Sequence, residues 1–108
     1  MESKVQRISR EDKELIYEEI CARDYSICVL CGSPGQELGH IVPRSRSIKD
    51  DARLWAPANL AILCAECHHN GENFSTRLQM IQTLYARWNY DAYRNDNMYA
   101  EYAAFLED

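Results

Sequence analysis

Apolar positions along the first part of the chain recur at helical spacing. Leu15, Ile16 and Ile20 fall together, Glu18 and Glu19 lie opposite, and Ser9 with Asp12 three residues on supplies an N-cap and a first-turn acid. The pattern predicts an amphipathic helix over residues 10–23. The period then breaks. "SICVLCGSPGQELGHIVPRS" reads as a cysteine knuckle, a Gly/Pro turn and a short extended run ending at Pro43. Residues 44–58, with Pro57 and weak periodicity, read as loop. "LAILC" is short and wholly apolar, the signature of a second strand packed beside the first, and "CAECHHNG" holds good helix formers before a stop at Gly71. Leu78, Ile81, Leu84, Tyr85 and Trp88 mark another amphipathic helix over about 75–88, with its stripe in a core or a subunit contact. Met98, Tyr102, Phe105 and Leu106 permit a last helix in a tyrosine-rich tail. Short strands flanked by helices make the expected class α+β.

Length narrows this picture. A chain of 108 residues is expected to form a single domain, 1–108, whose core alone supplies only a few kcal/mol, so an added staple is expected. The composition, 46% hydrophobic and 27% charged with no apolar run near the roughly 18 residues of a membrane span, excludes a membrane-spanning chain. The N-terminal "MESKVQRISREDKELI" lacks the apolar stretch of a signal peptide, which predicts a cytoplasmic protein with reduced thiols. The net charge of -5 argues against non-specific nucleic-acid binding, yet His40 to Lys49 carries Arg44, Arg46 and Lys49 with no acid. One basic loop interrupts an acidic chain.

Cysteine spacing is the strongest chemical signal. Four of the five cysteines form two C-x-x-C pairs, Cys28/Cys31 and Cys64/Cys67, separated by 32 residues. Close thiol pairs at that spacing clamp a tetrahedral ion, and Zn2+ is favoured over iron. Four thiolates close such a site and leave no position for substrate, so its work is structural. Cys21, in the first helix, reads as a small buried apolar residue. With Cys64 and Cys67 committed, His68 is free for another task, as are His40 and His69.

"CVLCG", then "LGHIVPRSR", then "APANLAILCAECHHN" resembles the HNH endonucleases, the ββα-metal nucleases, in which a knuckle, a His before an apolar pair and Pro, an Asn-Leu and a C-x-x-C-His follow in that order. The likeness spans about residues 23–73 and implies a small ββα-metal domain with a four-cysteine zinc knuckle, flanked by the helix at 10–23 and a helical region at 75–106. It further implies a metal-dependent endonuclease acting on DNA, with His40 as general base, Asn59 tying the loop after His40 to the second strand, and His68 binding a catalytic Mg2+, Mn2+ or other divalent ion. Arg44 and Arg46 would contact backbone phosphates. One departure stands out: the family usually has Asp, His or Glu directly before the base, where this chain has Gly39. Glu37, two residues earlier on the same strand face, His69, or substrate phosphate with water are the candidate replacements. Two other classes stay open: a catalytically reduced zinc module binding nucleic acid or protein, and an iron electron carrier, because "CVLCG" is also similar to a rubredoxin knuckle. The small surface predicts low sequence specificity, and the aromatic tail leaves a homodimer open.

Overall fold

The computed structural model describes residues 8–43, 51–71 and 73–106, so the expected phosphate contacts Arg44 and Arg46 lie outside the described residues. Helix α1, Arg10–Asp24, starts where Ser9 accepts a hydrogen bond from the Asp12 N–H at 3.1 Å and ends at Tyr25, which takes the left-handed conformation at φ 59°. Its buried side runs through Ile16, Ile20 and Asp24 at i, i+4 spacing, with Tyr17 and Cys21 beside it; Cys21 is half-buried. Leu15 is 60% exposed, because a step of one residue turns about 100° away from that stripe.

Among the described residues the sheet has two antiparallel strands, β1 (Glu37–His40) and β2 (Leu60–Leu63), in register Glu37 to Leu63 and His40 to Leu60. Every residue of β2 is buried, which explains the unbroken apolar run "LAIL". Leu60 and Ile62 face Ile20 of α1, with Leu38 and Trp55 alongside; Ala61 and Leu63 face a larger core with Val29, Ile41, Met80, Ile81 and Leu84.

The stretch expected as loop over 44–58 contains, where described, the one-turn helix α2 (Asp51–Leu54), with Leu54 buried, and a 3-10 turn at Pro57–Asn59. Helix α3, Ala65–Asn70, follows β2 directly, and α4 spans Phe74–Trp88 with Asn73 as N-cap. Its buried face is Met80, Ile81 and Leu84, with Leu78 and Tyr85 half-buried. Trp88, in the last turn, is 42% exposed beside Tyr25 and Ile27. Instead of one last helix, the tail forms α5 (Ala92–Asn95), a 3-10 turn at Asn97–Tyr99 and α6 (Ala100–Ala103). Three of its tyrosines are fully buried: Tyr93 donates its hydroxyl to the Ala58 carbonyl, Tyr99 donates to Asn59 Oδ1 at 3.1 Å, and Tyr102 stacks on Phe74. The pieces are short because their periodicity follows these anchors rather than one helical face.

No third strand covers the outer edge of β2 among the described residues; one backbone N–H and two charged side chains do. Val29 N–H donates to the Ile62 carbonyl at 3.0 Å, and Ile62 N–H donates to Asp24 Oδ2 at 3.0 Å. The guanidinium of Arg23 clasps Asp24 through two bonds of 2.8 and 2.9 Å and also donates to the carbonyls of Leu60 at 2.7 Å and Pro57 at 2.8 Å. This charge pair, with side-chain exposures of 10% and 0%, stands in for a neighbouring strand. Removing one partner strands the other charge and an edge N–H in the interior. Asp24→Ala is therefore expected to lower stability by about 3–5 kcal/mol in urea unfolding, whereas Glu18→Ala on the exposed side of α1 stays within about 0.5 kcal/mol.

Candidate metal centre and histidine cleft

The knuckle is shaped by its backbone. Gly32 N–H donates to the Cys28 carbonyl at 2.9 Å, Cys28 N–H donates to the Ser33 carbonyl at 2.7 Å, and Ile27 bridges to Pro34. Gly32 holds φ 81°, a conformation glycine adopts at no steric cost. Gly35 runs so close to β2 that a Cβ there would lie 2.8 Å from the Leu63 backbone. The second thiol pair brackets the start of α3: Cys64 is the N-cap, its sulfur accepting the Cys67 N–H at 3.4 Å.

These two turns bring the sulfurs of Cys28, Cys31, Cys64 and Cys67 within 4.8 Å of one another, with Cys31 and Cys64 at 3.7 Å. Four thiolates at about 2.3 Å around a tetrahedral Zn2+ would stand about 3.8 Å apart, so the donor set and spacing fit zinc. The thiols are unequal without it. Hydrogen bonds from the Ser33 side chain and backbone push Cys31 down to about 6, while burial and then the neighbouring thiols push Cys67 upward. A divalent cation at their centre reverses the penalty on four clustered negative charges.

Beyond the thiols, α3 packs against β1. His68 Nδ1 lies 2.7 Å from Glu37 Oε1. Gly39 is on the same strand face: a Cβ there would come 3.7 Å from His68 Cδ2 and 2.6 Å from Leu63 Cδ1, so the Leu63 side chain occupies the room a larger residue at 39 would need. Glu37, Ala65, His68 and His69 line one open cleft, with His69 exposed at its rim.

His40 does not line that cleft. It ends β1 on the opposite face, half-buried, its ring edge-on to Trp55 with centroids 4.7 Å apart and Lys13 Nζ 5.0 Å above the indole. Asn59 is wholly buried. Its Oδ1 accepts from Val42 N–H at 2.9 Å, and its amide donates to the carbonyls of Val42 at 3.1 Å and Leu54 at 3.0 Å, so it clips the segment after His40 to the start of β2. Sequence reasoning missed Trp55 and Lys13 beside His40, because neither periodicity nor spacing pointed a tryptophan from that stretch toward the strand. Arg53, in α2, pairs with Asp96 of the tail.

Stripping the thiol site with a strong chelator is expected to lower Tm by more than about 10 °C, the effect of losing roughly 2 kcal/mol or more in a chain of this size. Elemental analysis is expected to find zinc in the purified protein, and Cys64→Ser to lose it.

A model of the HNH endonuclease family matches residues 28–74. No curated protein and no solved structure gives a significant match. The matched span holds the four clustered thiols, both strands of the hairpin and the whole of α3, while α1 and the tyrosine tail fall outside it. Residues 28–74 are thus similar to the HNH endonucleases, and the likeness covers less than half of the chain.

Proposed function

We propose that the protein is a metal-dependent endonuclease that hydrolyses DNA phosphodiester bonds, by nicking or cleavage with low sequence specificity. The observation that carries this reading is the HNH match over residues 28–74, which spans His40, Asn59 and His68; the two imidazoles do not share one cleft but flank β1 on opposite faces. Side chains of opposite faces converge on a common ligand only at a free edge, and β1 is paired on one side alone among the described residues. Displacement at phosphorus places the attacking and leaving oxygens on opposite sides of the phosphate. A phosphate lying along the edge of β1 would meet an imidazole on each side.

In this reading His40 is the general base. Its neutral ring takes a proton from the attacking water, a P–O bond forms, and the bond to the 3′-oxygen breaks to leave a 5′-phosphate and a 3′-hydroxyl. Trp55 covers one side of the ring, and the Asn59 clip on Val42 keeps the strand end from shifting. His68 would hold the divalent ion, Mg2+ or Mn2+, which when bound supplies Lewis acidity to the phosphate and to the leaving oxygen. Arg44 and Arg46 are assigned to backbone phosphates on charge alone.

A second reading is favoured by Gly39: with Leu63 filling the space beside it, the residue before His40 offers no ligand, as in a zinc module that binds DNA or protein without cutting. Plasmid nicking separates the two. His40→Ala and His68→Ala are each expected to reduce Mn2+- or Mg2+-dependent nicking by about 10²–10⁴-fold while keeping zinc and fold. Equal cleavage by wild type and His40→Ala removes His40 from the mechanism. DNA binding with no divalent-dependent cleavage by the wild type selects the second reading.

A further inference from the structure

The geometry points to Glu37 as the residue that fixes the tautomer and orientation of His68, making this imidazole a single-nitrogen metal ligand through Nε2. The inference rests on the assignment of His68 to a divalent ion made above, and extends it to a residue that lies in neither the His-Asn-His order nor the thiol frame.

Glu37 Oε1 and His68 Nδ1 are 2.7 Å apart, a hydrogen-bond distance. An ionised carboxylate only accepts hydrogen bonds, so the proton between them belongs to Nδ1. A neutral ring protonated at Nδ1 has one lone pair left, on Nε2. A carboxylate bonded to the far nitrogen of a ligating imidazole locks the ring and raises its basicity, an arrangement that recurs around bound metals.

Register explains why the carboxylate comes from position 37. Glu37 and Gly39 share the face of β1 that α3 covers, and the His68 ring lies along it, Nδ1 against Glu37 and Cδ2 over Gly39. Glycine leaves that place to the ring and to Leu63, and the longer Glu37 side chain reaches the ring from two residues away. Packing gives no other reason for the pair. Both side chains are well exposed, 46% for Glu37 and 38% for His68, and an exposed pair of this kind contributes little to stability.

The test uses full-length, zinc-loaded protein at about pH 8, above the ordinary imidazole range, with ring-nitrogen NMR and Mn2+ titration by paramagnetic resonance. His68→Asn identifies the His68 signals. In the wild type His68 is expected as the Nδ1–H tautomer. Glu37→Ala is expected to shift it toward Nε2–H and to weaken Mn2+ binding by about 10–100-fold, with Tm and zinc content unchanged. Glu37→Gln, whose amide oxygen still accepts the same hydrogen bond, is expected to keep the wild-type tautomer and to lose less Mn2+ affinity than Glu37→Ala, because the neutral amide orients the ring without raising its basicity as the carboxylate does.

An Nε2–H tautomer in the wild type, or a tautomer unmoved in Glu37→Ala, overturns the inference. So does an equal loss of Mn2+ affinity in Glu37→Gln and Glu37→Ala, which would make the carboxylate itself a ligand. These readouts need no DNA. A wild type that shows the expected tautomer and Mn2+ binding but never nicks plasmid refutes the nuclease reading and leaves Glu37 in its role; nicking that survives with an unmoved tautomer does the reverse.

Discussion

A strand buried on both faces must find hydrogen-bond partners along both edges, and β2 is such a strand. Unpaired backbone groups there would each cost more than a single favourable contact returns, so β2 governs what surrounds it. One edge takes β1. The other is met by Val29 from the knuckle, the carboxylate of Asp24 and the guanidinium of Arg23. Three separate pieces of chain are thereby held at one strand: the end of α1, the thiol-bearing turn and the strand that ends in His40.

The same economy recurs around the hairpin. Asn59 serves as a piece of backbone for Val42 and Leu54, and Tyr93 and Tyr99 bring hydroxyls from the tail to Ala58 and Asn59. In a chain too short for a large core, these polar contacts add specificity of register as well as energy, since each fits one alignment only. The tyrosine tail belongs to this scheme: its rings fill the larger core and its hydroxyls lock the turn that precedes β2.

Two different side-chain clusters sit side by side on α3. Cys64 and Cys67 close a four-sulfur cluster from its first turn, and His68, the next residue, turns toward β1 and Glu37. Consecutive helical residues point about 100° apart, so adjacency in sequence separates the two rather than merging them. The crowding in "CAECHHN" is the outcome of placing a closed structural site and an open cleft on one short helix.

Much of this was legible in the amino-acid order. The two C-x-x-C pairs, the apolar run of β2, the Ser9 cap and the helical periods of α1 and α4 are local patterns, and local patterns survive into the fold because they are set by backbone geometry within a few residues. The order His40, Asn59, His68 likewise needed no coordinates. Long-range pairings were not legible. That Arg23 and Asp24 replace a strand, that Trp55 packs on His40, that Leu63 fills the space beside Gly39 and that Glu37 rather than His69 meets His68 each depend on segments brought together from as many as 38 positions apart. Periodicity identifies which side of an element is buried; only packing decides which neighbour it is buried against.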